Sequence, residues 1–283
     1  MGFDRSTTVD EVVADADLSG RVAVVTGASS GLGREVAQAL ARSGATVVAA
    51  VRDPARAPAG ITSVTLDLAS LASVSAAAAA ILDTHATVDI LVNNAGVMAT
   101  PPEVTLDGFE SQLGINHLGH FLFTALLASA LGDSGRVVNT SSLGHMISPM
   151  RWDDPHFRTQ GYDKWLAYGQ SKTANILFTR ALAARGRRSY AVHPGAVDTG
   201  LTRHLEGDEL ALVEAAGLAE AKTLAQGAAT LVLAAVSDTL LSGSYLADCQ
   251  IAEPASHARD PDEAERLWNW SEGELGHPWV RAV

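Results

Sequence analysis

The chain has 283 residues and a formal net charge of −12 at pH 7, and 47% of its residues are hydrophobic. A chain of this length and composition can bury a large core, which argues against intrinsic disorder. The acidic balance argues against binding to nucleic acid or to anionic lipid, because both ligands attract basic patches. We therefore expect a small-molecule partner and no nucleic acid.

Cys249 is the only cysteine, so no internal disulfide can form, which is typical of a reducing compartment. The N-terminal residues are polar and acidic and lack the apolar core of a signal peptide. The most apolar stretches, 76–82 and 121–131, are too short to span a bilayer. These features predict a soluble, cytoplasmic protein without a membrane span.

Short apolar segments alternate along the chain with segments of helical hydrophobic spacing. Strands are predicted over 21–26, 45–51, 61–66, 88–93, 136–141, 189–193 and 244–246. Helices are predicted over 31–43, 70–83, 106–131 with a break near Gly114, 165–185 and 226–236. Strands joined by helix-length connections form a parallel sheet that is covered on both faces. The sequence therefore predicts a Rossmann-type, doubly wound α/β fold with about seven parallel strands.

The alternation contains no linker, repeat or low-complexity segment. We expect a single domain over 18–283, preceded by an N-terminal extension over 1–17. The segments 144–164 and 199–224 follow the carboxyl ends of strands, which is the edge where ligands bind in sheets of this kind. They are the predicted substrate loops.

The first of these loops, 144–164, is rich in large apolar side chains. They favour an apolar pocket lining, although packing of the loop against itself explains them equally well. His145 and His156 lie in the same loop, and we expect them to be solvated or locally bonded, since no carboxylate spacing supports a metal site. The apolar residues concerned are Met146, Ile147, Met150, Trp152 and Phe157.

A glycine-rich motif, Thr-Gly-Ala-Ser-Ser-Gly-Leu-Gly at 26–33, follows the first predicted strand and opens the first helix. Glycines permit a tight turn and let backbone N–H groups approach a pyrophosphate, and the helix N-terminus adds partial positive charge. A plain glycine-rich turn is the alternative, but the strand–turn–helix context favours a dinucleotide site. The predicted contacts are Gly27, Ser29, Ser30, Gly31, Leu32 and Gly33.

The second predicted strand ends with Val51 and Arg52, where an acidic side chain would bond the ribose 2′-hydroxyl of NAD. A guanidinium suits a 2′-phosphate instead, through its charge and its forked donors. The sequence therefore favours NADP(H) over NAD(H). Asp67 follows the third strand and is a candidate partner for the adenine amino group, or else the N-cap of the next helix.

Tyr168 and Lys172 lie four residues apart at the start of a predicted helix, so their side chains share one face. A phenol with a pKa of about 10 is a poor base at neutral pH. A neighbouring cation lowers that pKa, whereas burial raises it. Ser142 follows the fifth strand at the ligand edge, where its hydroxyl can hold a substrate oxygen. The set predicts proton transfer by Tyr168 coupled to hydride transfer at a nicotinamide.

Four motifs, taken in order, resemble those of the short-chain dehydrogenase/reductases. They are the glycine motif at 26–33, Asn-Asn-Ala-Gly at 93–96, Ser142 with the Tyr-x-x-x-Lys pair, and Pro194-Gly195 followed by Thr199. The resemblance implies a catalytic tetrad of Asn116, Ser142, Tyr168 and Lys172, in which Lys172 also bonds the nicotinamide ribose. The further cofactor contacts that it implies are Leu68, Asn94, Ala95, Gly96, Pro194, Gly195, Val197 and Thr199.

Within that family the chain is similar to the retinol dehydrogenase-like group, through its Tyr-x-Gln-Ser-Lys form, Arg52 and the long segment before the tyrosine. The resemblance implies an NADP(H)-dependent oxidoreductase acting on an alcohol or carbonyl of a fairly apolar small molecule. It also implies a homodimer or homotetramer. A non-catalytic NADP(H)-binding sensor is the alternative, and the presence of all four tetrad residues favours the enzyme.

Overall fold

The computed structural model describes residues 2–132, 134–197, 201, 205 and 221–279. The described chain folds around one sheet of eight strands. These are β1 (Val22–Thr26), β2 (Thr46–Val51), β3 (Thr62–Thr65), β4 (Ile90–Asn93), β5 (Arg136–Thr140), β6 (Arg188–His193), β7 (Tyr245–Ala247) and β8 (Gln250–Ala252). Their order is β3-β2-β1-β4-β5-β6-β7-β8, and all neighbours are parallel except β7 and β8.

Helices cover both faces of this sheet, as the alternation predicted. They are α1 (Val9–Val13), α2 (Gly31–Arg42), α3 (Leu71–Thr84), α4 (Ser111–Leu113), α5 (Gly119–Leu126), α6 (Ala128–Leu131), α7 (Lys164–Ala184), α8 (Leu224–Val236) and α9 (Pro261–Leu275). A π-helical segment, Gly114–Leu118, joins α4 to α5 at the point where the sequence predicted a break.

The sheet separates two apolar cores. On one face α2 and α8 pack on valine-rich strands, and α1 joins them through Val9 and Val12. On the other face α3, α5, α7 and α9 share a core whose centre is aromatic. The strands are apolar on both sides because both sides are covered, which is why they read as continuous hydrophobic runs.

The alternation did not predict β8 and α9. β8 returns from β7 through Asp248 and Cys249, which have φ angles of 52° and 59°. Left-handed backbone is uncommon for cysteine, so no turn signal stands out there. Helix α9 does carry local signals: the Asp260 carboxylate caps the N–H of Asp262, and Gly276 ends the helix with a φ of 57°.

No helix in the described ranges combines the length and the hydropathy needed to cross a membrane. The N-terminal extension over 1–17 stays a prediction as a boundary, although its helix α1 contributes two buried valines to the core beside α8.

We predict that Phe178→Ala lowers the free energy of unfolding by about 3–5 kcal/mol, because it leaves a cavity in the aromatic core. The Phe178 ring lies 5.1 Å from that of Phe121 and 6.2 Å from that of Trp268, centre to centre. Leu241→Ala, at a position that is 75% exposed, is the control and should cost no more than about 0.5 kcal/mol. Urea unfolding compares the two, and equal losses would contradict the packing described.

Candidate active site

The glycine motif turns sharply from β1 into α2. Gly27 and Gly31 have φ angles of 70° and 54°, which favour glycine. A Cβ atom on Gly33 would lie 2.4 Å from Asn94 Nδ2 and 2.5 Å from the Gly27 carbonyl oxygen. Ser30, the N-cap residue of α2, makes no side-chain capping bond, so it leaves the first amides of the helix available. This is the arrangement that binds phosphate at a helix N-terminus.

The Thr26 hydroxyl joins this turn to the end of β4. It accepts hydrogen bonds from the backbone N–H groups of Asn94 and Ala95, at 2.9 and 3.0 Å. It also lies 2.9 Å from His120 Nε2, while His120 Nδ1 lies 3.0 Å from the Asn116 carbonyl oxygen. Sequence reasoning missed Thr26 and His120, since neither lies at a position that the motifs mark as reactive.

At the far end of the cleft, Arg52 follows β2 and is exposed. The neighbouring carboxylate of Asp53 accepts from the N–H of Ala55 and so caps the short 3-10 helix Pro54–Arg56. Asp67 accepts from the N–H of Ala69, and Ser70 is the N-cap of α3. The alternative that Asp67 caps α3 is therefore wrong.

A cleft of about 500 Å³ runs along the carboxyl edge of the sheet between the two ends of the site. It brings together nearly all of the predicted site residues. They are Gly27, Ser29, Ser30, Gly31, Leu32, Gly33, Arg52, Asp67, Leu68, Asn94, Ala95, Gly96, Ser142, Tyr168, Lys172, Pro194 and Gly195. Sequence reasoning missed other wall residues, including Thr140 and His193, whereas Leu201 belongs to the predicted substrate loop 199–224.

Two other predicted residues lie outside the described lining of the cleft, and a third cannot be placed. Val197 lies outside the lining of the cleft: its backbone forms a bridge with Lys222, and its side chain packs on Gly227. Asn116 is fully buried behind the wall of the cleft. Thr199, like most of the predicted loop 199–224, lies outside the described residues.

The Asn116 side chain holds the loop that follows β4. Its Oδ1 accepts from the N–H of Val97 at 2.8 Å, and its Nδ2 donates to the Val97 carbonyl at 3.0 Å and to Ser171 Oγ at 2.9 Å. A Cβ atom on Gly96 would lie 3.1 Å from Asn116 Oδ1 and 3.5 Å from Lys172 Nζ. Asn116 therefore lies beside Lys172, with its side-chain bonds already made to protein.

Tyr168 and Lys172 share one face of α7, as their spacing predicted. Lys172 Nζ lies 5.5 Å from the centre of the Tyr168 ring and donates to the Thr140 carbonyl at 3.3 Å. Burial raises the pKa of Tyr168 to about 12, while a hydrogen bond with Ser142 acts to lower that pKa. Burial lowers the pKa of Lys172 to about 8. Each group is thus held toward its neutral form in the cleft described here.

Tyr168 also has an apolar side. Met98 and Ala99 pack against it, together with the partly buried Trp165, Leu201 and Leu205.

The apolar residues predicted from 144–164 are placed differently. Met150 and Trp152 pack into the core beside α9, Phe157 lies under the Arg151 guanidinium, and Met146 and Ile147 are largely exposed. The described part of the cleft lining contains none of these five side chains.

The two histidines of that loop are locally bonded, which is the alternative that the sequence favoured. His156 Nδ1 accepts from the N–H of Glu110, and its Nε2 lies 3.1 Å from a carboxylate oxygen of Glu274. His145 Nδ1 lies 2.6 Å from the Ser142 carbonyl oxygen. Among the described residues no cluster of three or more His, Cys, Asp or Glu side chains could hold a metal ion.

Known proteins are similar to this chain in sequence and in fold. The sequence profile of the family described as short chain dehydrogenase matches residues 21–154. The chain belongs to the short-chain dehydrogenase/reductase family. Retinol dehydrogenase 12 of Mus musculus is 41% identical over 285 residues, which covers 94% of this chain and 89% of that protein.

Solved structures with the short-chain dehydrogenase/reductase fold are also similar to this chain. An uncharacterized protein from Mycobacterium paratuberculosis has a TM-score of 0.78 at 37% identity, covering 95% of this chain and 98% of that one. A protein from Beutenbergia cavernae, described as a NAD(P)-dependent gluconate 5-dehydrogenase with bound NADP, has a TM-score of 0.63 at 31% identity, covering 81% and 95%. The predicted fold and reaction class are confirmed: the chain is an oxidoreductase acting on CH–OH or carbonyl groups.

Lys172 generates a prediction about stability. Its pKa of about 8 in the folded chain lies below the ordinary 10.5, so the unfolded chain binds the proton more tightly. The free energy of unfolding should therefore rise with pH between these values. Lys172→Met removes the buried cation and should stabilise the protein at neutral pH by about 1–3 kcal/mol. That advantage should shrink as the pH approaches 10.5.

Urea unfolding of the wild type and of this variant at neutral and alkaline pH measures the difference. A difference that stays constant with pH would contradict the buried, depressed lysine.

Proposed function

We propose that this chain is an NADP(H)-dependent dehydrogenase/reductase for an alcohol or carbonyl group of a fairly apolar small molecule. One observation carries the proposal: Ser142, Tyr168 and Lys172 line one end of the same cleft whose other end is the glycine turn and Arg52. The nicotinamide of a bound cofactor supplies or receives the hydride. The chain itself then has to bind the cofactor, hold the substrate oxygen and move one proton.

Tyr168 is the proposed acid and base. In reduction its phenol donates a proton to the carbonyl oxygen, and in oxidation the phenolate takes the proton of the alcohol. Ser142 orients the same substrate oxygen. Because burial holds the Tyr168 pKa at about 12, proton abstraction at neutral pH needs positive charge beside the phenol. Among the described residues, Lys172 brings an ammonium to within 5.5 Å of the centre of the Tyr168 ring.

Asn116 and Lys172 act at the back of the site in this proposal. Asn116 is a positioning residue, since its side chain holds the loop after β4 through Val97. Lys172 reaches the cleft and is the proposed ligand of the nicotinamide ribose. Its bond to the Thr140 carbonyl, at 3.3 Å, is long, so the ammonium retains donors for a ribose hydroxyl.

Arg52 supports the choice of NADP(H). Its guanidinium is exposed at the end of β2 and lines the cleft, while the carboxylate next to it, Asp53, is occupied in capping its own turn. The site therefore presents a cation where a 2′-phosphate would lie. Asp67 lines the same end and is the proposed partner of the adenine amino group.

The apolar residues packed on Tyr168, which include Met98, Ala99 and Trp165, support an apolar substrate. The test is oxidation of NADPH with a panel of aldehydes and ketones: retinal, aliphatic aldehydes, aromatic ketones, steroids and quinones. Turnover supports the enzyme. Tight NADPH binding without turnover in either direction would favour the alternative, a non-catalytic sensor. The cytoplasmic location and the homodimer or homotetramer remain predictions.

We predict that Tyr168→Phe lowers kcat by about 100-fold or more, because it removes the only proposed proton donor. The affinity for NADPH should change little, since the ring and its packing are kept. Stopped-flow and fluorescence titration measure the two quantities separately. Wild-type turnover in the variant would overturn the assigned role of Tyr168.

We predict that Arg52→Leu weakens NADPH binding by about 10-fold or more, because a charge-assisted contact with the 2′-phosphate is lost. NADH binding should change far less. Arg56→Leu, which removes a nearby exposed guanidinium, is the matched control. Equal effects of Arg52→Leu on both cofactors would refute the 2′-phosphate contact.

A further inference from the structure

The peptide group that joins Ser142 to Leu143 is bonded to a histidine ring at each end. Its carbonyl oxygen lies 2.6 Å from His145 Nδ1, and its N–H donates to His193 Nδ1 at 3.3 Å. His145 belongs to the 3-10 helix Leu143–Met146, and His193 ends β6, the strand beside β5. Two separate elements thus hold one peptide plane.

The bonding fixes the tautomer of each ring. A carbonyl oxygen only accepts, so His145 carries its proton on Nδ1, and its Nε2 accepts from the N–H of Ala255 at 3.0 Å. His193 accepts at Nδ1, so its proton lies on Nε2. A second proton on either ring would break one of these bonds.

The surroundings favour these neutral forms. Burial lowers the pKa of both rings, that of His193 to about 4. His257 and Lys222 act in the same direction, and Asp248 opposes them at His193. Both rings therefore keep their bonds to the peptide at neutral pH.

This peptide plane controls the catalytic serine through the turn that follows it. It begins at the Cα of Ser142, so its orientation sets the ψ angle of that residue. It also places the following turn, in which the N–H of Gly144 donates to Ser142 Oγ at 3.1 Å. The same hydroxyl acts to lower the pKa of the Tyr168 phenol. A rotated peptide would carry the Gly144 N–H away, and the Ser142 hydroxyl would lose the donor that holds its rotamer toward the phenol.

We propose that His145 and His193 are positioning residues, which clamp the Ser142–Leu143 peptide and so aim the Ser142 hydroxyl at Tyr168. The inference rests on the proposed roles of Ser142 and Tyr168. His145 is almost fully buried, at 1% exposure, and its ring stacks edge-on against Tyr245, so it has no direct access to substrate. It acts through the backbone.

Asparagine and glutamine separate the two nitrogen positions of histidine. An asparagine amide lies where Nδ1 lies, whereas a glutamine amide reaches the position of Nε2. His145→Asn keeps a donor for the Ser142 carbonyl, and His145→Gln keeps only the contact with Ala255. His193→Asn keeps an acceptor for the Leu143 N–H, whereas His193→Gln moves the acceptor away from that N–H.

With the aldehyde of highest turnover, both Gln variants should lose about 10-fold or more in kcat, because the serine is misplaced by a fraction of an ångström. Each Asn variant should recover most of that loss, within about 3-fold of the wild type. At each position the Asn and Gln variants should share one urea midpoint, and in the His145 pair the dissociation constant of NADPH should stay at the wild-type value. Equal kcat for Asn and Gln at both positions, or a loss that follows NADPH affinity or the urea midpoint, would overturn the clamp.

A second readout does not depend on turnover. Ultraviolet titration of the Tyr168 phenol, with the matching Tyr168→Phe variant subtracted, should show a higher Tyr168 pKa in the Gln variants than in the Asn variants, since the bond from Ser142 is weakened. An unchanged pKa would overturn the clamp. Failure of the wild type to reduce any carbonyl would count against the proposed function, while the titration would still decide the clamp.

Discussion

The hydroxyl of Thr26 uses all of its hydrogen-bonding capacity where β1 and β4 end side by side. It accepts from the N–H groups of Asn94 and Ala95. Because His120 Nδ1 must donate to the Asn116 carbonyl, Nε2 is left to accept the Thr26 proton. Burial lowers the pKa of His120 to about 4, so the ring stays in this neutral tautomer. One buried hydroxyl thus connects the glycine turn after β1 to the asparagine behind the cleft.

Tyr168 and Lys172 lie at the end of the cleft that this set of bonds supports. Tyr168 and Lys172 are both buried, and burial pushes each toward its neutral form. A flexible site could relieve the free-energy cost of burying these two groups, either by admitting water or by turning the side chains outward. Here Asn116 fixes the loop beside Lys172, and Ser142 is held from β5 and β6. Both groups therefore stay buried, and burial holds each toward its neutral form.

Local chemistry in the sequence was enough to predict the fold class and most of the cleft. The glycine turn, Arg52, Ser142 and the Tyr168–Lys172 pair lie at strand ends or on one helix face, so their spacing fixes their neighbours. Sequence reasoning failed where partners come from distant segments. Met150 and Trp152 are apolar as a pocket wall would be, yet they pack beside α9, which the alternation had not predicted.

The sequence by itself determined which chemical groups occupy the carboxyl edge of the sheet, because strand and helix periods are short-range properties of the chain. The tertiary structure decided how those groups are used. No local pattern identifies the partners of Thr26, His120, His145 and His193, whose bonds follow from what β4, β6 and the segment around Ala255 bring against them. Hydrogen bonds between segments far apart in the chain depend on packing, and no spacing along one strand or helix encodes them.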